Sequence, residues 1–222
     1  MSIYILMKIL ESAPRRYDRG IRILTVGKLN KAYDRLISHI KQGQRVLDLG
    51  CGTGALTIKA AQKGAIVKGI DVNAQMLKMA QERAHEANLL QNIELCEMGV
   101  AELDNEKAES YDVVMSGLCF SELTADELIY TLKETKRILK PNGLVLIADQ
   151  MKPQAFSKRI LHRLLRFPLV VITYLITQTT TNAIKDLPAR VKEAGLVVES
   201  IRLNKMGDFI ELVARKAVAR PR

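Results

Sequence analysis

The stretch VLDLGCGTG, residues 46–54, decides the fold of this 222-residue chain. A β-type apolar run carrying one carboxylate, Asp48, delivers glycines at 50, 52 and 54, and the helical pattern ALTIKAAQK follows at once. Glycine at such a strand end permits positive φ and lets backbone N–H groups approach a ligand without Cβ interference. The helix behind it offers partial positive charge. The turn therefore suits an anionic or polar group, yet a carboxylate stands two residues before it.

Working outward, Asp71 lies twenty-one residues past Gly50 at the end of the next apolar run, IVKGID. Doubly wound folds place a ribose-binding carboxylate there. A turn followed by this acid implies a nucleoside ligand. Dinucleotide binders show G-x-G-x-x-G, whereas these glycines run G-x-G-x-G with Asp48 upstream, a poor setting for a pyrophosphate. An α-amino acid suits it better, with its carboxylate facing helix N–H groups and its ammonium balanced by the acid. A nucleoside that carries an amino acid on a sulfonium is S-adenosylmethionine. The lesser alternatives are that Asp48 merely caps the following turn and that Asp71 is a simple helix-start residue.

Short β-branched runs alternate with helical patterns along the chain, the signature of βαβ units and a parallel sheet. Expected strands are RVLDLG (45–50), IVKGID (66–71), IELCE (93–97), YDVVMS (111–116), GLVLIAD (143–149), GLVVESIRL (195–203) and DFIELVAR (208–215). The last two form a meander through NKMGD. The expectation is an α/β, Rossmann-like doubly wound sheet of seven strands, mostly parallel with one antiparallel strand near the C-terminus. Asn73 caps a helix whose Met76, Ala80, Ala84 and Ala87 recur at helical spacing as a core stripe. Thr124 and Glu127 have capping-box spacing, Pro141-Asn142-Gly143 ends that helix, and Pro188 and Gly195 bracket another. One domain is expected over residues 1–222, with an N-terminal helical cap at about 1–40 and an acceptor-side insertion at about 151–185.

Hydrophobic residues at 48% and charged residues at 26% exclude a disordered or repeat class. The cysteines, Cys51, Cys96 and Cys119, lack metal-ligand spacing, so no metal site or disulfide framework is expected and a reducing cytoplasm fits. No membrane span is expected, since FPLVVITYLI is far shorter than the roughly 20 apolar residues a span needs. The N-terminus lacks the features of a secretory signal. The net charge of +10 is concentrated in the flanks, with fourteen Lys/Arg against five Asp/Glu in residues 151–222. A basic rim steers anionic partners or is a solvated face.

VLDLGCGTG, GIDVN, YDVVMS and LKPNG together resemble the successive motifs of class I S-adenosylmethionine-dependent methyltransferases, over residues 28–215. The likeness is closer to the ubiquinone and menaquinone biosynthesis branch. The segment MKILESAPRRYDRGIRILTVGKLNKAYDRL resembles corrinoid protein-associated methyltransferases. The resemblance implies that Gly50, Cys51, Gly52, Thr53 and Gly54 pass under the methionyl part and that Asp48 orders the turn and the ammonium. It gives the ribose to Asp71, with Val72 beside it, and the adenine border to Gly99, Val100 and Ala101. Ser116 would line the methyl-transfer face. Many relatives have an acid or amide where Val100 stands, so backbone at Val100 and Ala101, or the Glu102 side chain, would have to meet the adenine amino group.

Methyl transfer from a sulfonium requires orientation and desolvation more than acid–base groups, and no triad is visible. Tyr17, in a segment that the resemblance folds over the cofactor, is the aromatic candidate for the reaction face, with packing as its alternative. His162, among Lys158, Arg159, Arg163 and Arg166, reads as solvated surface rather than a base. Cys119 reads as a small buried hydrophobe rather than a metalloid ligand, since arsenite methyltransferases of this fold use several cysteines. The segment 157–182 suits a lid over a hydrophobic acceptor, a docking surface, peripheral membrane contact, or a plain core helix.

The first functional expectation is a methyltransferase with a corrinoid protein as partner, its methyl acceptor a small molecule or a group linked to that protein. The second is methylation of a quinone precursor or other hydrophobic small molecule, and the third a non-enzymatic accessory protein responsive to S-adenosylmethionine. No DNA partner is indicated, and RNA is disfavoured by the lack of an aromatic-rich basic platform. A nicotinamide dehydrogenase is disfavoured by the glycine spacing.

Overall fold

The structure, a computed structural model, describes residues 28–151 and 184–217. In chain order the elements are α1 (Lys28–Ile37), β1 (Arg45–Leu49), α2 (Ala55–Gln62), β2 (Ile66–Asp71), α3 (Ala74–Glu86), β3 (Ile93–Glu97), β4 (Tyr111–Gly117), α4 (Ala125–Ile138), β5 (Leu139–Gln150), α5 (Leu187–Glu193), β6 (Leu196–Leu203) and β7 (Phe209–Lys216). They build a seven-stranded sheet in the order β3-β2-β1-β4-β5-β7-β6. Every pairing is parallel except those of β7, which runs antiparallel to both β5 and β6. The expected Rossmann-like sheet with one antiparallel strand is what the chain forms.

Alternation along the strands divides the core between two faces, because successive side chains point to opposite sides. Leu47, Leu49, Val114, Ile147 and Leu212 pack under α4 and α5 on one face. Val46, Val113, Met115, Leu146 and Val213 pack under α1 and α2 on the other. On the second face Arg35 of α1 donates to Glu211 of β7 through Nε at 2.7 Å, a tie across 176 residues.

The helix ends follow local chemistry. The Asn73 side chain accepts from the N–H groups of Gln75 and Met76, and Met76, Ala80 and Ala84 are buried. Thr124 and Glu127 form the expected reciprocal capping box. α5 starts one residue before Pro188, capped by Asp186, whose side chain accepts from Ala189 N–H at 3.3 Å. Most strand ends lie within one residue of expectation, and the largest difference is at the start of β5. α4 stops at Ile138, and β5 begins at Leu139 rather than Gly143, with Leu139 opposite Tyr111 and the ladder resuming at Leu144 opposite Val113. Proline disfavours helix in the residue before it, so Pro141-Asn142-Gly143 is absorbed as an irregularity of the strand, with Asn142 at φ 62°.

The chain order reverses between β1 and β4, and open α/β sheets bind ligands at the carboxyl ends of strands at such a switch point. No helix among the described residues is long and apolar enough to cross a membrane.

Candidate cofactor site

At the end of β1 the backbone turns through Gly50 (φ 63°), Gly52 (φ 53°) and Gly54 (φ 80°) before entering α2. The three differ in surroundings. A Cβ on Gly50 would lie 2.6 Å from Cβ of Cys119, and one on Gly54 would lie 3.0 Å from Cβ of Ala80 on α3. A Cβ on Gly52 would meet nothing within 4 Å. Gly50 and Gly54 are therefore glycines of close packing, while Gly52 faces open space.

That space is a cavity of about 890 Å³ above the carboxyl ends of β1, β2, β3 and β4. Of the residues expected at the cofactor, it is lined by Gly50, Gly52, Asp71, Val72, Val100 and Ala101. Cys51, Thr53, Asp48 and Ser116 are buried beneath or behind it and, with Gly54, are not part of its wall. Tyr17 and His162 lie outside the described residues.

Asp71 spans the two elements that meet here. Its Oδ2 accepts from Gly52 N–H at 2.8 Å and its Oδ1 from Asn73 N–H at 2.9 Å. A carboxylate has about four acceptor sites, so both oxygens keep capacity for donors in the cavity. Val72 is 73% exposed, an apolar surface at the cavity edge. The Glu102 Oε1 accepts from Gly99 N–H at 2.9 Å, which ties that oxygen to the start of the helical turn Val100–Asn105.

Asp48 does not line the cavity. It is 1% exposed and turned down beside α2, where Oδ2 accepts from the Thr57 hydroxyl at 2.6 Å and Oδ1 has no partner. Burial raises its pKa from 3.8 to about 7, against the lowering effect of the Thr57 hydrogen bond. Burial likewise holds the thiols of Cys51 and Cys119 protonated, well above the ordinary cysteine range. Cys119 lines the cavity as an unreactive thiol, in accord with its reading as a small hydrophobe.

Three features were missed from the sequence. Thr57 is a β-branched residue inside a helix, a weak signal at best. Arg83, on α3, donates from Nη1 to the Thr53 carbonyl at 3.1 Å, a second side-chain tie to the turn. Glu97, Glu122 and Glu127 join Asp71 in the wall, and no Lys, Arg or His does among the described residues. The cavity thus favours a ligand with cationic character and disfavours a pyrophosphate.

An α/β sheet with an open glycine turn, a strand-end carboxylate and an acid-lined cavity defines a nucleoside-binding protein of the Rossmann-like class. Residues 46–143 match the family described as "Methyltransferase domain". The demethylmenaquinone methyltransferase of Bacillus subtilis (strain 168) is 29% identical over 156 residues, 68% of this chain and 65% of that protein. The chain thus matches slightly less than two thirds of that relative's length. The uncharacterized methyltransferase sll0829 of Synechocystis sp. is 30% identical over 178 residues, 79% of this chain and 77% of that protein. A SAM-dependent methyltransferase of Aquifex aeolicus has the same fold, with a TM-score of 0.66 over 93% of this chain and 98% of that one at 18% identity. The chain belongs to the class I S-adenosylmethionine-dependent methyltransferase family.

The family's cofactor is S-adenosylmethionine, and the residues present fit it. Gly52 leaves the cradle that a Cβ would fill, Asp71 offers acceptors for vicinal hydroxyls, and the carboxylate wall suits a sulfonium.

Proposed function

We propose that this protein transfers the methyl group of S-adenosylmethionine to an acceptor bound beside the cavity. The observation that carries the reading is the union, in one cavity, of open Gly52, Asp71 bonded to its N–H, and a wall of four carboxylates without a basic group among the described residues. When bound, S-adenosylmethionine supplies the activated methyl group on a sulfonium. Gly50 and Gly52 give backbone access, Asp71 orients the nucleoside, and Val72 and Val100 offer apolar contact to a flat ring. Leu118 and Cys119 border the same cavity from the loop after β4 and exclude water without taking or giving a proton. The protein's contribution is orientation and desolvation, which is what an in-line displacement needs.

For the acceptor, the likeness of residues 7–36 to corrinoid protein-associated enzymes supports a group on, or handled with, a corrinoid protein. The demethylmenaquinone methyltransferase among the relatives supports a second reading, a hydrophobic quinone-like acceptor. We further infer a single domain with its cap and insertion at about 1–40 and 151–185, acting in the cytoplasm. The test is incubation with methyl-labelled S-adenosylmethionine and native cell extract, followed by separation of small molecules, lipids, RNA and proteins. Label in a protein band or its corrinoid supports the first reading and label in lipid the second. Binding without transfer to any fraction overturns the enzymatic reading in favour of an accessory protein.

A further inference from the structure

Beneath the cavity floor, Asp48 is a fully enclosed carboxyl group with only half of its hydrogen-bonding capacity used. Thr57 donates to Oδ2 at 2.6 Å, while Oδ1 is buried with no partner. Ionising such a group without a compensating donor or cation is costly. The groups acting on it offer little compensation. From α2 there are the Thr57 hydroxyl and the Thr57 backbone N–H, from β2 the like charge of Asp71, from the turn Cys51 and from the loop after β4 Cys119. Met115, its register partner on β4, is uncharged. Lys59, also on α2, is engaged with Asp34 at 2.6 Å.

The carboxyl lies two residues before Gly50, directly under the turn whose upper side opens to the cavity. A positive charge over Gly50 and Gly52 favours the ionised form of a carboxyl this close and this poorly solvated.

We propose that Thr57 and Asp48 are a positioning pair that senses charge in the cavity. When a cationic ligand lies over the turn, the O–H bond of the Asp48 carboxyl breaks, the proton goes to solvent, and Thr57 steadies the resulting carboxylate and the turn above it. This rests on the S-adenosylmethionine reading. The ordinary state of the carboxyl supports it, since burial raises its pKa to about 7 and leaves a proton to be lost near neutrality. Ligand affinity then increases as pH rises through that value.

The test is calorimetric titration of the full chain with S-adenosylmethionine at pH 7 in buffers of different ionisation enthalpy, repeated with Asp48→Asn, Thr57→Val and Thr57→Ser. The α-amino group of the ligand also titrates near pH 8, but it contributes alike to all variants, so the difference from Asp48→Asn isolates the carboxyl. Wild-type protein is expected to release more protons than Asp48→Asn and to gain affinity several-fold between pH 6 and 8. Thr57→Val moves that midpoint to higher pH, and Thr57→Ser restores it. Equal proton release by wild type and Asp48→Asn, with binding intact, overturns the pair while leaving the cofactor reading standing. Absence of binding at every pH overturns both.

Discussion

Asp71 and Asp48 approach the same glycine turn from neighbouring strands, β2 and β1, and end in opposite surroundings. Asp71 is the last residue of its strand, borders the cavity, and has a backbone N–H on each oxygen. Asp48 is one residue short of its strand's end, 1% exposed, with one oxygen bonded to Thr57 and the other bare. The side chain at a strand's end can look into the crevice above the sheet, whereas one inside the strand is committed to a sheet face and the helix covering it. The open side of the turn therefore governs ligand contact, and the closed side governs its shape and charge state.

The largest expected effect comes from pressing on the closed side. Gly50→Ala brings a Cβ to 2.6 Å from Cβ of Cys119 at φ 63°, combining overpacking and backbone strain. Each costs about 1–3 kcal/mol, and a large fall in the urea midpoint is expected. Gly52→Ala meets no atom within 4 Å, so it carries only the positive-φ cost of about 1–2 kcal/mol. Its methyl fills space needed by the ligand, and weaker binding by calorimetry is expected to exceed the stability change. If Gly52→Ala proves the less stable of the two, the division between a closed and an open side fails.

On the open side, Asp71→Ala is expected to lower S-adenosylmethionine affinity at least tenfold, about 1.4 kcal/mol, the scale of a lost charge-assisted hydrogen bond. The N–H groups of Gly52 and Asn73 also lose their acceptor. Affinity unchanged in titration would sink the ribose assignment.

This contrast also shows what the residue string could tell. The ends of β2 and β3 fall where the runs IVKGID and IELCE place them. Asp71 was legible because a strand-end carboxylate at a fixed interval from the glycines needs only sequence distance. The orientation of Asp48 was not, since it depends on which face of β1 receives α2. Thr57 and Arg83 were invisible for a similar reason: their partners are nine and thirty residues away and are met only when helices cross the turn. The expected roles of Tyr17 and of segment 151–185 fall largely outside the described residues.

Asp48→Asn sharpens the comparison through pH. Burial raises Asp48 from 3.8 to about 7 and Asp149 from 3.8 to about 6, the latter while accepting from Ser121 and Gln150 N–H groups. Folded protein thus holds more protons than unfolded chain between those limits, and stability must fall as pH rises through them. Well below pH 3.8 both acids are protonated in either state and the contribution is full. The urea midpoint of the wild type is expected to decline between about pH 4 and 7, and that of Asp48→Asn to decline less, leaving the Asp149 share. Parallel profiles for the two proteins would remove Asp48 from the account.

The smallest expected effect is at Arg83, which holds the turn's acceptor as Asp71 holds its donor. Arg83→Met keeps most of the side-chain stem and removes the bond to the Thr53 carbonyl. Net loss of one hydrogen bond to a charged group is about 1.5–3 kcal/mol when buried. Arg83 is only half-buried, so water replaces part of the bond and the stability change should fall below that range. Because Arg83 does not line the cavity, affinity should change less than for Asp71→Ala. A loss as large as that of Asp71→Ala would mean that the shape of the turn, and not contact with the Asp71 carboxylate, sets the binding energy. The effect of Asp71→Ala would then have to be reassigned to its bond with Gly52, and the two sides of the turn would be one mechanical unit.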